Sequence, residues 1–342
     1  MKTILVIFGG CSTEYEVSLH SAAAVLAAID RTRYVVQTVG ITREGRWLYY
    51  TGPVEKIETD QWRGNCCTPC ALCVDRDAPA LVLPDGTRVP FDLAFPVLHG
   101  KNGEDGTVQG LLELTGVPLV GCGTLGSALG MDKNRAHTLV AAAGVAVPRS
   151  ALLTRSNART APQKAAKLGY PVFVKPVRAG SSFGITRVDA PDALQAAVEE
   201  AFYHDSEVLL EETISGFEVG CAVMGNEVLT VGAVDEIELH TALFDYTEKY
   251  TLQTAAIHCP ARITPQQAAA VQQTAQTIYR ALGCRGFARV DCFLTPQGRI
   301  VFNEVNTIPG FTAHSRFPKM MEQIGYGFPV LVQALISLAE EG

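Results

Sequence analysis

With 342 residues, 47% hydrophobic and 18% charged, the chain has the composition of a soluble globular protein long enough for two or three cores, which excludes a largely disordered polypeptide. A net charge of −7 at pH 7 and the absence of a clustered Lys/Arg run exclude a nucleic-acid-binding surface, which needs such clusters. The apolar opening MKTILVIF stops at Gly9-Gly10 and reads as a first strand rather than a signal peptide. No other stretch approaches a membrane span, so a cytoplasmic protein without membrane contact is expected.

The glycine turn after that strand leads into an Ala/Leu-rich helix, the start of an α/β domain, and puts Glu14 and Glu16 in the first turn, where acids complement the helix dipole. YVVQTVGI and RWLYY supply two more strands, and a polar region then runs to Pro90. Within it Cys66, Cys67, Cys70 and Cys73 include a CxxC spacing but no second matching pair, so free thiols are expected rather than zinc. The strand LAFPVL ends in a loop, His99 to Gly106, whose glycine content and position at a carboxyl strand end suit ligand binding, with His99 a candidate. Gly121 to Gly126 matches the dinucleotide fingerprint, yet no acid stands at the offset that would hold a ribose, so an NAD site is rejected. Asp132 caps the helix KNRAHTLVAAAG, which Gly144 closes.

A second α/β unit follows. Lys175 ends the apolar strand PVFVKP and carries its charge into a dry layer, where a nucleotide phosphate would serve as counter-ion. Gly180 to Gly184 fits a hydrolase elbow, but a strand follows where the elbow needs a helix, so the loop reads as a lid whose N–H groups and hydroxyls cover phosphates. Strands FEVGCAVM and EVLTVGAVDEIEL lead into a long polar and aromatic loop with Lys249 and Tyr250 near its middle, and loops of this length commonly act as lids. A helix over 265–282 precedes the hairpin GFARVDCFL/RIVFNEV, and a helix over 328–339 ends the chain. If Gln297-Gly298 is a two-residue turn, Asp291 faces Glu304 and Arg289 faces Asn306, with all four side chains on one sheet face. Such a face is either a platform for a hard cation such as Mg²⁺ and its nucleotide or the solvated side of an antiparallel sheet.

Gly-Gly-x-Ser-x-Glu-x-x-Val-Ser at 9–18, His-Gly-x-x-Gly-Glu-Asp-Gly at 99–106, Met-Asp-Lys at 131–133, Lys-Pro-x-x-x-Gly-Ser-Ser at 175–182 and Asn-Glu-Val-Asn-Thr-x-Pro-Gly-Phe-Thr at 303–312 occur in this order. Together they resemble the D-alanine–D-alanine ligase family of the ATP-grasp fold, over essentially the whole chain. The resemblance implies three α/β domains, with an N-terminal substrate domain over 1–122, a central domain over 123–215 and a C-terminal domain over 216–342. The last carries the metal site and a lid at 240–257, and the nucleotide is held between the central and C-terminal domains. ATP would be bound by Lys133, Lys175, Ser182, Glu211, the backbone of Glu212, Thr213 and Ile214, Glu218, Phe244 and Lys249. Two Mg²⁺ ions, with Mn²⁺ as a substitute, would be carried by Asp291, Glu304 and Asn306. Glu14 would take the ammonium of the first D-alanine, with Ser181 and Tyr250 completing a network to the lid. Arg289 and the Gly310 N–H would stabilise the oxyanion, and His99 would lie near the first substrate's carboxylate. A homodimer through the N-terminal domain is also implied.

Two positions bear on the second substrate. Tyr250 resembles ligases that make true dipeptides, not those that make the D-lactate ester. Arg316, following Ser315 at the second-substrate pocket, stands where housekeeping enzymes usually have Leu or Met, and its donors suit a hydroxymethyl side chain. STEYEVSL, PVRAGSSFGIT, EETISGFEVGCAV and FDYTEKYTL further resemble the G-type vancomycin-resistance ligases, so D-serine is the expected second substrate and D-alanine the alternative. Another ATP-grasp carboxylate–amine ligase would share the nucleotide residues but has no reason to carry Glu14, Ser181 and Tyr250 together, and a non-catalytic nucleotide-binding protein would be expected to lack a phosphate lysine or metal ligand, none of which is missing.

Overall fold

The apolar run Lys2–Gly9 becomes the inner strand of a five-stranded sheet ordered Cys67–Pro69, Trp47–Tyr50, Tyr34–Ile41, Lys2–Gly9, Leu93–Leu98. Its two neighbours run parallel to it, both faces are covered, and Ile4 to Phe8 are all fully buried, which is why the run shows no polar alternation. This computed structural model describes residues 1–180, 183–239 and 255–341. The helix Tyr15–Ala28 packs on the sheet. The polar region before Pro90 holds a small sheet of Ala71–Cys73, Ala80–Val82 and Arg88–Pro90, with Cys70 and Cys73 at or beside its first strand.

A four-stranded sheet, ordered Thr186–Val188, Val172–Pro176, Glu207–Glu212, Ser150–Thr154, has its own core of Val172, Val174, Leu210 and the helix Leu194–His204. The third large sheet is antiparallel and ordered Ala255–His258, Leu229–Leu239, Phe217–Gly225, Phe287–Leu294, Ile300–Asn306. Ala255–His258 lies in what reads from sequence as the long loop, and a short helix, Arg316–Glu322, begins at Arg316. The helices Thr124–Met131 and Lys133–Ala142 pack on this sheet, where Cys122, Ala136 and Val140 share a core with Val290 and Phe302. A Cβ at Gly126 would sit 2.9 Å from the Gly283 carbonyl oxygen, so this glycine of the dinucleotide-like motif serves helix packing. Among the described residues no helix is long and apolar enough to cross a membrane.

The hairpin shows two departures from expectation that cancel. Its turn has three residues, Pro296 to Gly298: Thr295 N–H donates to Arg299 O at 2.9 Å and Gly298, at φ 78°, donates to Thr295 O at 2.8 Å. That lengthening moves the pairing by one residue, as Cys292↔Phe302 shows, but a bulge at Asn303 restores it. Asp291 therefore faces Glu304 and Arg289 faces Asn306.

Candidate active site

Because strand side chains alternate, Arg289 and Asp291 share one sheet face, and the register brings Glu304 and Asn306 alongside. Asp291 is buried and accepts from Arg289 Nε at 2.9 and 3.0 Å, from Arg289 Nη2 at 2.7 Å and from Asn306 Nδ2 at 2.9 Å. Leu229–Leu239, one strand beyond Phe217–Gly225, adds Asp235, a fully buried carboxylate. Arg316 grips it with Nε at 2.7 Å and Nη2 at 2.8 Å, while Nη1 reaches Glu218 at 3.1 Å and Nη2 lies 3.2 Å from Asp291. Burial alone would lower the Arg316 pKa, but Asp235, Asp291 and Glu218 outweigh it and hold the guanidinium charged. Every nitrogen of Arg316 thus faces a carboxylate, a different arrangement from a guanidinium offered directly to a substrate.

Gly220 is the glycine this network requires. Its N–H donates to Asp235 Oδ1 at 3.0 Å, and a Cβ there would collide with Arg316 Nη2 and Asp235 and lie 2.9 Å from Asp291 Oδ1. Arg316 is held by three acids and cannot swing aside freely. Gly220→Ala is therefore expected to cost about 1–3 kcal/mol as overpacking, read as a lower urea midpoint, with an unchanged midpoint refuting the crowding.

The donor set fits a hard cation. Asp291 and Glu304 carry carboxylate oxygens and Asn306 an amide oxygen. Three carboxylates, Asp235, Glu218 and Asp291, meet the guanidinium groups of Arg289 and Arg316 on this floor.

Above the floor, Lys133 and Lys175 converge from different units. Lys133 Nζ donates to Ala179 O at 2.8 Å, and Lys175 Nζ meets Glu211 Oε1 at 2.5 Å, both lysines being buried. Arg178 ties the start of the glycine loop down, donating from N to Asp205 at 2.7 Å and reaching Glu207 at 3.1 Å. The Glu212 side chain is turned to Arg149 and the Thr213 hydroxyl to Pro171 O at 2.7 Å. A cleft lined by Glu14, Glu104, Lys133, Gly180, Glu304 and Asn306 brings Lys133 to the carboxylate face. Ser181, Ser182, Phe244, Lys249 and Tyr250 lie outside the described residues.

Glu14 is buried at the head of the helix Tyr15–Ala28, with Gly100 and Gly180 packed so closely that a Cβ on either would collide with it. Glu104 lies nearby, and burial together with Glu14 pushes its pKa well above the usual carboxylate range. A cationic ammonium suits such a pair. His99 is engaged within the protein at both ring nitrogens: Nδ1 lies 2.8 Å from Ile308 O and Nε2 3.1 Å from Ser21 Oγ. Burial pushes its pKa down to about 4, against the pull of the Ile308 carbonyl. Ser315 caps the short helix and its Oγ accepts from Thr312 N at 3.1 Å, closing the loop that carries Gly310.

A cleft with a buried lysine, a carboxylate–amide face and buried acids is the kind of site an ATP-grasp ligase needs. The chain matches the D-ala D-ala ligase N-terminus family over residues 3–122 and the D-ala D-ala ligase C-terminus family over 139–337, and it belongs to the D-alanine–D-alanine ligase family. This family is ATP-dependent and uses Mg²⁺. The crystal structure of the VanG D-Ala:D-Ser ligase from Enterococcus faecalis superposes with a TM-score of 0.93 at 55% identity, covering 99% of each chain. The vancomycin C-type resistance protein VanC1 of Enterococcus gallinarum is 45% identical over 100% of this chain and 99% of its own length. The vancomycin/teicoplanin A-type resistance protein VanA of Enterococcus faecium is 42% identical over 99% of this chain and 98% of its own length.

Proposed function

We propose that the chain joins D-alanine to D-serine at the expense of ATP, making D-alanyl-D-serine for a modified peptidoglycan precursor of the kind that underlies vancomycin resistance. What carries the reading is the likeness, along 99% of both chains, to a D-Ala:D-Ser ligase. In this reading Arg316 acts on the second-substrate side of the site by being fixed among Asp235, Glu218 and Asp291, not by offering free donors to the substrate.

In this reading Lys133 and Lys175 hold the ATP phosphates, with Ser182 and Lys249 closing over them. Glu211 and the backbone of 212–214 receive adenine beside Phe244, and Glu218 the ribose. Glu14 holds the ammonium of the first D-alanine and is joined to the lid by Ser181 and Tyr250. The carboxylate of that D-alanine attacks the γ-phosphorus, forming a P–O bond as the bond to ADP breaks. The amine of the second amino acid then attacks the acyl carbon and gives up a proton, and the tetrahedral adduct collapses with loss of phosphate. Arg289 and the Gly310 N–H face the oxyanion of that adduct, where fixed donors are worth most. Mg²⁺ bound through Asp291, Glu304 and Asn306 supplies charge neutralisation at the phosphates.

One hydroxyl discriminates by only about 1–3 kcal/mol unless its absence leaves buried groups unpaired, so some D-alanyl-D-alanine is also expected. With ATP, Mg²⁺ and equimolar D-alanine and D-serine at neutral pH, D-alanyl-D-serine should be the larger product. A pool dominated by D-alanyl-D-alanine overturns the D-serine assignment and marks the chain as a housekeeping ligase.

A further inference from the structure

We propose that Ser21, His99 and Glu104 form a buried clamp through which the N-terminal sheet sets the direction of the Gly310 N–H, making them positioning residues for the acyl-transfer step. The inference rests on the assignment of Gly310 to the oxyanion. It starts from a difficulty in that assignment, because glycine has the freest backbone of any residue and a donor carried on it is poorly aimed unless its neighbours are fixed.

The neighbours are fixed from outside their own unit. Ile308 N–H donates to Glu104 Oε1 at 3.1 Å, the Ile308 carbonyl faces His99 Nδ1 at 2.8 Å, and Phe311 N–H donates to Ser21 Oγ at 3.1 Å. Pro309, between them, has its φ locked by its ring. The Phe311 side chain is buried against Phe287, Phe317 and Phe328, at centroid distances of 5.5, 6.0 and 5.5 Å. Gly310 is thus bracketed on both sides by anchored residues.

The hydrogen-bond directions follow from chemistry. A carbonyl only accepts, so His99 Nδ1 carries the proton that Ile308 O receives, and Nε2 is left as an acceptor. Ser21 Oγ therefore donates to Nε2 at 3.1 Å while accepting the Phe311 N–H. The ring must be neutral for this, as its burial and lowered pKa of about 4 ensure. Glu104 uses its second oxygen to accept Gly100 N–H at 2.7 Å, which fixes the loop that packs on Glu14. One set of bonds therefore relates the first-substrate acid in the N-terminal unit to the amide in the C-terminal loop.

A dipeptide phosphinate, a stable mimic of the tetrahedral adduct, separates positioning from mere support of the fold, because it needs the aimed amide and ADP does not. Ser21→Ala removes both the Phe311 and the His99 bond. It should lower kcat by about 10–100-fold and phosphinate affinity by a similar factor, with ADP affinity changed less than about twofold. Glu104→Gln, of equal size, puts an amide N–H against one of the two backbone donors and should show the same split, which covers the case in which Ser21→Ala folds poorly. Folded variants with kcat and phosphinate affinity at wild-type levels overturn the clamp, as does a parallel loss of ADP and phosphinate binding. A wild-type protein that makes no D-alanyl dipeptide overturns the underlying ligase reading, and the clamp falls with it.

Discussion

Arg316→Met is expected to lower stability by about 3–5 kcal/mol, the usual result of removing one partner from a buried charge network. The physical cause is specific. Asp235 is fully buried and receives a two-pronged contact from Arg316 at 2.7 and 2.8 Å, while Glu218 and Asp291 lie on other nitrogens of the same group. Methionine fills much of the volume and supplies no charge, so those acids face one another across Gly220 in a low-dielectric layer. The thermal midpoint should fall by roughly 5–10 °C. Arg316→Lys, which keeps the charge and loses the planar fork, should fall between the two. A methionine variant as stable as the wild type would show that the network contributes nothing net.

Glu304→Gln should do the opposite: little to stability and much to turnover. Glu304 is only partly buried, so an isosteric amide should change stability by less than about 1 kcal/mol. It removes one of two carboxylates from the proposed metal face, and kcat should drop by about 10²–10³-fold, the range for losing an electrostatic stabiliser of the transferring group. The check is turnover together with nucleotide binding titrated against Mg²⁺. The variant should need more Mg²⁺ for the same nucleotide affinity, and unchanged turnover would refute the metal face.

The hairpin illustrates how a correct pairing can be read through an incorrect detail. A two-residue turn at Gln297-Gly298 predicts the pairing of Asp291 with Glu304, yet the turn has three residues and the pairing survives because Asn303 bulges. Pro-Gln-Gly suits either turn, and no glycine or proline marks the bulge, so neither departure was visible in the residues. Asp235 was hidden for a related reason. In GAVDEIEL it reads as one polar residue of an ordinary half-buried strand, and its significance arises only when Arg316, 81 residues later, folds onto it.

Local chemistry, by contrast, was legible wherever a short segment contained its own reason. The glycine turn after the first strand, the Asp132 cap that accepts Arg135 N at 2.9 Å, the buried strand-end lysine Lys175 and the four-residue polar face of the hairpin depend on neighbours in sequence or on simple alternation. The ordered motifs built from them were sufficient to indicate the family. Tertiary structure alone decided which partners the isolated charges acquire: Arg316 turned to Asp235, and His99 turned to Ile308 and Ser21. A buried polar group must satisfy itself with whatever folding brings near, and these partners lie far apart along the chain, so no local pattern can specify them.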